Sequence, residues 1–232
     1  MPICPDSGLV SPSGCHYAGT MRLQQQWLGS GIDYHDGLKI QLSTVEDVLC
    51  KDHGNTLLCL EHAPVYTIGR TRDVSSLGPN TKLLPHPVIE TNRGGQATYH
   101  GPGQLTGYPV VDLRPLGKDL HAYIRALEEA LIETCRYYDV LASQRDGLTG
   151  VWVEDRKLAS IGVGVKKWIS MHGFAINITR QSLDGFASIT PCGINDVTMT
   201  CLESEAGKKI GVREFAQQCH AHVETALERI TI

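Results

Sequence analysis

The chain has 232 residues, of which 41% are hydrophobic and 20% charged, and a net charge of −4. That length can bury a sizeable core in one large domain or two small ones, and the composition is that of an ordinary globular protein. The charge excludes a general affinity for nucleic acid or anionic membrane, and no apolar run approaches the roughly 20 residues that span a bilayer.

The first 21 residues carry no Lys or Arg and no long apolar stretch, so they read neither as a secretory signal nor as a basic transit peptide. Residues 1–15, with Pro2, Pro5 and Pro12, read as a flexible leader, and 16–232 as one folded domain. Residues 17–28 (YAGTMRLQQQWL) are compatible with a helix. TLLCLEH (56–62) and the VYTIGR that follows Pro64 read as strands, residues 73–87 as a loop, and HPVIET (86–91) and YPVVDL (108–113) as strands flanking a glycine-rich segment. The clearest helix is 121–140, where Tyr123, Ala126, Leu127, Ala130, Leu131, Thr134, Cys135 and Tyr138 recur at steps of three and four. Strands return at 150–155, 158–166 and 172–179, the first two separated by Arg156-Lys157 in a hairpin-like turn. Residues 213–230 form a second amphipathic helix. Strand pairs with helices between them predict a single α+β domain, a mixed β-sheet flanked by helices.

Several chemistries lack their signatures. Gly101, Gly103 and Gly107 do not give G-x-G-x-x-G, and Leu202 stands where a phosphate loop ending at Gly207-Lys208 needs its first glycine. His220-Ala221-His222 beside Cys219 lies on a helical pattern that points neighbours apart, so no metal site is expected there. G-x-S-x-G is absent. The eight cysteines form no C-x-x-C pair and read as reduced, mostly buried thiols.

Two segments are denser than a turn requires. RGGQATYHGPGQ (93–104) packs Arg93, Tyr99, His100 and Gln104 among four glycines, which let a main chain approach a ligand closely. SITPCGIND (188–196) sets Cys192 in a turn between Pro191 and Gly193, outside any core stripe.

RGGQATYHGPGQLTGYPVVDL (93–113), RKLASIGVGVKKWISMHGFAINI (156–178) and ITPCGINDVTMTCL (189–202) closely resemble the lipoyl(octanoyl) transferases, the octanoyl-[acyl-carrier-protein]–protein N-octanoyltransferases, and LEHAPVYTIGR (60–70) resembles an early strand of that family. The resemblance runs from about residue 17 to 220; the leader has no counterpart. It implies a biotin/lipoyl protein ligase-like fold and transfer of an octanoyl group, through a cysteine thioester, from octanoyl-acyl carrier protein to a lysine of apo lipoyl domains, those of 2-oxoacid dehydrogenase E2 subunits and of the glycine cleavage H protein. No cofactor, metal, nucleic acid or membrane partner is implied, and the setting is cytoplasmic, or mitochondrial in a eukaryotic host. The catalytic pair falls on Cys192 and Lys157. The substrate-binding stretches fall on Arg93, Gly94, Gly95, Gln96, Ala97, Thr98, Tyr99 and His100, on Ser160, Ile161 and Gly162, and on Gly173, Phe174 and Ala175.

The chemistry suits these groups. A thiol nucleophile conserves the thioester's energy and splits the transfer in two. The thiolate is the attacking species, and a neighbouring ammonium favours it over the thiol, whose ordinary pKa is about 8.5. Lys157 supplies that charge, protonates the departing sulfur, and then accepts a proton from the incoming amine. Backbone N–H groups within 157–162 or 93–95 are candidates for the oxyanion hole, and His100 for orienting the pair or binding substrate. The buried tail contributes roughly 5 kcal/mol at about 0.8 kcal/mol per CH₂. Arg70, Arg72, Lys166 and Lys167 are candidates for a basic rim facing an acidic carrier. An ATP-dependent lipoate–protein ligase of the same fold, a thiol hydrolase and a non-catalytic lipoyl-domain scaffold are the rival readings.

Overall fold

The computed structural model describes residues 21–72, 74–77, 81–189 and 197–231; the leader and Cys192 lie outside them. In chain order the elements are β1 (Gln24–Ile32), α1 (Tyr34–Cys50), β2 (Thr56–His62), β3 (Val65–Ile68), β4 (Val88–Glu90), β5 (Thr98–His100), β6 (Gln104–Val110), α2 (Leu120–Tyr137), β7 (Ser143–Arg145), β8 (Leu148–Val153), β9 (Arg156–Lys166), β10 (Ile169–Asn177), β11 (Thr198–Met199), α3 (Leu202–Ala206) and α4 (Val212–Glu228). A 3₁₀ segment covers Arg180–Ser188.

The main sheet runs β1-β2-β6-β10-β9-β8-β7, with β11 added beside β9, and a small sheet runs β4-β3-β5. Pairing is antiparallel except for β1 with β2, β11 with β9 and β3 with β4, so both sheets are mixed. One face of the main sheet packs on α2 and α4 around Leu57, Leu105, Leu127, Leu158, Ile176 and Phe215. The other face meets α1 through Val45, Val48, Leu58, Leu60 and Val110. The small sheet has its own core of Tyr66, Ile68, Leu77, Tyr99 and Phe186.

The stripe read on α2 is buried along its length, and the residues at its centre, Leu127, Ala130 and Leu131, belong to the core against α4. Asp119 caps this helix, accepting from the N–H groups of His121 and Ala122. The helix expected at 17–28 is not formed in its described part, 21–28: Gln24–Ile32 is a strand, paired in parallel with β2. Its Gln, Leu and Trp suit either state locally, and pairing along the exposed edge of β2 decides. Gln25 Nε2 also donates to the Ala216 carbonyl at 2.7 Å, tying the strand to α4. Among the described residues no helix is long and apolar enough to cross a membrane.

Leu127→Ala should cost about 2–5 kcal/mol of folding free energy, because a buried leucine between α2 and the sheet leaves a cavity that the helices cannot fully close. Urea denaturation checks it, with the midpoint falling and the slope unchanged.

Candidate active site

Lys157 is only 2% exposed. It lies in β9 rather than in a turn, because the hairpin turns at Glu154-Asp155, with Glu154 at φ +54°, and Val153 pairs with Arg156. Its burial comes from a register shift. Val151 pairs with Ala159, yet Trp152 pairs with Lys157, so Leu158 is an extra residue in β9. Such a β-bulge reverses the alternation of side chains on one side of it. Leu158 and Ala159 both enter the helix-side core, while Lys157 joins Ser160 and Gly162 on the wall of a cavity. Arg156 is turned away, its guanidinium held by Glu205 at 2.9 and 3.0 Å and by Glu154 at 2.7 Å.

Room for the lysine is made by Gly150 on β8. Its φ of +132° disfavours any side chain, and a Cβ there would stand 2.9 Å from Lys157 Cε and 2.5 Å from the Ala159 carbonyl oxygen. The Gly150 N–H donates to Glu128 Oε1 at 2.8 Å, so a buried carboxylate of α2 pins the strand opposite the lysine. Lys157 Nζ stands 5.2 Å from the centre of the Trp152 ring, within cation–π range. On the outer side of β9, Thr198 and Met199 of β11 pair with Arg156 and Lys157, and the Thr200 N–H donates to the Lys157 carbonyl at 2.9 Å.

The cavity measures about 220 Å³. All the residues read from sequence as substrate-binding line it except Gly94 and Tyr99. Strand alternation explains Tyr99: Thr98 and His100 of β5 point inward, and the tyrosine ring points into the small-sheet core beside Tyr66 and Phe186. Gly94 is a strut. Its N–H donates to the Val163 carbonyl at 2.9 Å and its carbonyl accepts from Arg93 Nη1 at 2.9 Å, which takes its amide out of the set available to an oxyanion. A Cβ at Gly162 would come within 2.7 Å of the Gly94 carbonyl oxygen, so the glycine loop rests directly on the β9 backbone.

Tyr34, Thr106, Tyr108, Leu148, Thr149 and His172 also line the cavity and were not read from sequence. Thr106 and Tyr108 follow Gln104 at a period of two, and His172 directly precedes Gly173, so those signals were present. Tyr34 carried none.

A buried hydrogen-bonded layer backs the cavity. His62 Nδ1 donates to the Ile32 carbonyl at 3.0 Å, and its Nε2 accepts from Tyr108 Oη at 2.7 Å. Gln104 Nε2 donates to the Tyr99 carbonyl and to Asn177 Oδ1, which leaves Oε1 to accept from His100 Nδ1 at 2.9 Å. His100 Nε2 then faces Thr67 Oγ1 at 3.3 Å. The Thr67 hydroxyl oxygen in turn accepts from Arg93 Nε and Nη2 at 3.2 and 2.8 Å. Burial holds His100 well below the usual histidine range and pushes His62 and His172 down to about 4. All three are neutral at pH 7, and His100 has both ring nitrogens engaged, which suits it to buttress the wall. Thr98 Oγ1, Thr106 Oγ1 and His172 Nε2 are buried without a hydrogen-bond partner among the described residues, and all belong to the cavity lining. Unpartnered buried polar atoms are costly and uncommon, and here they mark a surface shaped for a ligand.

Among the described residues no cluster of His, Cys, Asp or Glu is arranged to hold a metal ion. His220 bonds the Leu23 carbonyl, and His222 bonds Thr134 Oγ1 at 3.0 Å. Arg70, Arg72, Lys166 and Lys167 are exposed, with Arg72 paired to Glu90 at 3.4 Å and Lys166 to Glu46 at 2.5 Å.

The architecture is shared with protein ligases of known structure. A lipoate protein ligase solved with its E2 lipoyl domain, from Thermoplasma acidophilum, superposes with a TM-score of 0.62 at 15% identity, covering 90% of this chain and 91% of that one. A biotin protein ligase from Aquifex aeolicus, in complex with biotin and ATP, superposes with a TM-score of 0.56 at 15% identity, over 90% of this chain and 72% of that one. Residues 33–224 match the family model of the lipoyl protein ligase A/B catalytic domain. The octanoyltransferase of Geobacter sulfurreducens is 46% identical over 80% of this chain and 77% of its own, and that of Geobacter metallireducens 46% over 77% and 82%. The chain therefore belongs to the octanoyltransferases of the lipoyl protein ligase A/B family, which are acyltransferases.

Two outcomes test the geometry. Gly150→Ala should lower both the activity and the melting temperature, since its Cβ would stand 2.5 Å from the Ala159 carbonyl oxygen at a φ of +132° and crowd Lys157 Cε; parallel activity and thermal-melt measurements check both. The depressed histidines set a pH dependence. Below about 6.5 the unfolded chain binds protons that native His62 and His172, at about 4, refuse. Stability is therefore greatest above that value and falls as pH drops from about 6.5 to 4, and denaturant midpoints should fall less steeply in His62→Gln.

Proposed function

We propose that the enzyme moves an octanoyl group from octanoyl-acyl carrier protein to a lysine of apo lipoyl domains, those of 2-oxoacid dehydrogenase E2 subunits and of the glycine cleavage H protein, through a thioester on Cys192. The observation that carries the reading is a buried lysine, turned by the bulge onto the wall of a cavity of acyl size. A cavity of about 150 Å³ holds six-carbon benzene, so roughly 25 Å³ serves each carbon. At that ratio the 220 Å³ beside Lys157 holds about nine carbons.

The thiolate of Cys192 attacks the carrier's thioester carbon. A bond forms to Cys192 Sγ, the bond to the phosphopantetheine sulfur breaks, and that sulfur takes its proton from Lys157. The acceptor lysine's amine then attacks the enzyme thioester; nitrogen–carbon forms, carbon–Sγ breaks, and the amine's proton returns to Lys157. The pair is restored without net consumption of acid or base. Arg93, Gly95, Gln96, Ala97, Thr98 and His100 would hold the tail with Ser160, Ile161, Gly162, Gly173, Phe174 and Ala175, with Gly94 and Tyr99 supporting them from behind.

Cys192 is in the segment 190–196, outside the described residues. Support for its role comes from its neighbours and from the other thiols. β11, which follows that segment, runs beside Lys157. Cys59 and Cys135 are buried in the helix-side core and pushed up to about 12, and Cys219 is raised well above the usual thiol range, so none of these supplies a thiolate. The relatives named octanoyltransferase support the acyl group, and the solved ligase with its E2 lipoyl domain supports the kind of acceptor. The bacterial source of those relatives fits a cytoplasmic setting.

Intact-mass spectrometry after incubation with octanoyl-acyl carrier protein tests the reading. The wild type should carry one octanoyl adduct, Cys192→Ala none, and Lys157→Ala should acquire it at least about a hundredfold more slowly. Transfer to a lipoyl domain should proceed without ATP. An adduct that persists in Cys192→Ala, or transfer that requires ATP, would defeat the assignment.

A further inference from the structure

A second cavity, of about 150 Å³, adjoins the first. It is lined by Leu38 and Leu42 of α1, by Arg72, Glu90, Thr91, Asn92 and Met171, and by His172. Among the described residues His172 is the one that lines both cavities. Its place along the sheet is at the end remote from the lysine. In β9 and β10, Ser160 pairs with Ala175, Gly162 with Gly173 and Val163 with His172, while Lys157 lies beyond the opposite end of that series. An acyl chain whose reactive carbon stands near Lys157 must therefore run toward His172.

The ring is held there at some cost. His172 is 2% exposed and sits at φ +58° inside a strand, a conformation uncommon for any residue but glycine. Its N–H donates to Gln41 Oε1 of α1 at 2.9 Å. The imidazole packs edge-to-face on Tyr108, centroids 6.4 Å apart. A Cβ at position 164 would stand 3.2 Å from His172 Cδ2, so Gly164 leaves room for the ring beside β9. Its Nε2 is buried without a partner. Neither the backbone strain nor the unpartnered nitrogen stabilises the fold, and such features persist where they serve a site. Burial keeps the ring uncharged at neutral pH, which suits it to face hydrocarbon.

We infer that His172 is the partition that sets acyl-chain length: its ring closes the first cavity against the second, and a longer chain is refused until that ring is removed. The inference rests on the acyl-transfer reading above. Joining the cavities adds about 150 Å³, room for roughly six further carbons.

The test is the chain-length profile of the full-length enzyme, read as the initial rate of adduct formation from carrier protein loaded with six- to fourteen-carbon acyl groups. His172→Gly removes the ring and tolerates positive φ; His172→Asn tolerates it too and leaves a smaller side chain. Each newly buried methylene is worth up to about fourfold in kcat/KM. The dodecanoyl-to-octanoyl ratio should rise by more than tenfold in His172→Gly and by a smaller factor in His172→Asn. Adding Leu42→Trp, which fills the second cavity from α1, should return the ratio of His172→Gly toward the wild-type value. An unchanged ratio in both folded variants overturns this inference alone, provided that the wild type loads octanoyl. A wild type that loads no acyl group overturns the transferase reading and the inference with it. A ratio that rises in His172→Gly but ignores Leu42→Trp overturns the role given to the second cavity.

Discussion

A strand alternates its side chains strictly, so a lysine two residues before Ala159 belongs by register in the hydrophobic core, where an ammonium loses several kcal/mol of hydration. Leu158 removes the conflict. By occupying an extra position in β9 it keeps the core face continuous through Leu158 and Ala159 and sends Lys157 to the opposite face. Everything else at this end of the molecule follows from that one residue. Gly150 lacks a side chain where the Ala159 carbonyl and Lys157 Cε fill the space, Trp152 presents a ring to the lysine, and Glu128 holds the Gly150 amide from behind. β11 can pair with β9 at Arg156 and Lys157 because β10 pairs with it only from Ala159 onward.

The cavity that receives the lysine is kept free of competing charge. His100 and His172 in its wall and His62 behind it are neutral at physiological pH, each chiefly through burial. Arg93 carries a permanent charge, but it donates to both the carbonyl and the hydroxyl of Thr67 and to the carbonyl of Gly94, so those donors hold the wall. Two requirements are met together. Apolar groups meet little uncompensated charge there, and a charge placed in the cavity is less screened than in water.

What the sequence disclosed follows the strength of its local signals. α2 and α4 repeat apolar residues at helical spacing against a polar background, and their buried faces are the ones read. α1 escaped because its buried stripe includes Gly37 and Gln41, which are not apolar, although Asp33 caps its first turn through the His35 and Asp36 amides. β1 was misassigned because its polar run has no local preference and forms only by pairing with β2. In the site, contiguous motifs were legible down to individual residues. The faces were not: Tyr99 turns away because strands alternate, and Lys157 turns inward because of a bulge that nothing in RKLAS announces. Tyr34, which reaches the cavity from α1, is separated in sequence from every other wall residue, and only the closed fold brings it there.

This chain shares its architecture with a lipoate protein ligase and with a biotin protein ligase at about 15% identity. A narrow slot between a main sheet and a small one is a general solution for a short, mostly apolar acid, because strands provide flat walls and glycines let two backbones approach within side-chain distance. What such a slot cannot supply is activation of the acid's carboxyl carbon. That chemistry must be placed at its mouth by local devices, and these leave the fold untouched. In this chain one inserted residue in β9 and one omitted side chain at Gly150 place Lys157 on the cavity wall, changes that cost a single ladder position and one Cβ while the register of β10 and β6 continues undisturbed beside them. A scaffold that separates holding the tail from activating the head in this way can exchange one activation chemistry for another without rebuilding its core, and low identity across a common fold is the expected consequence.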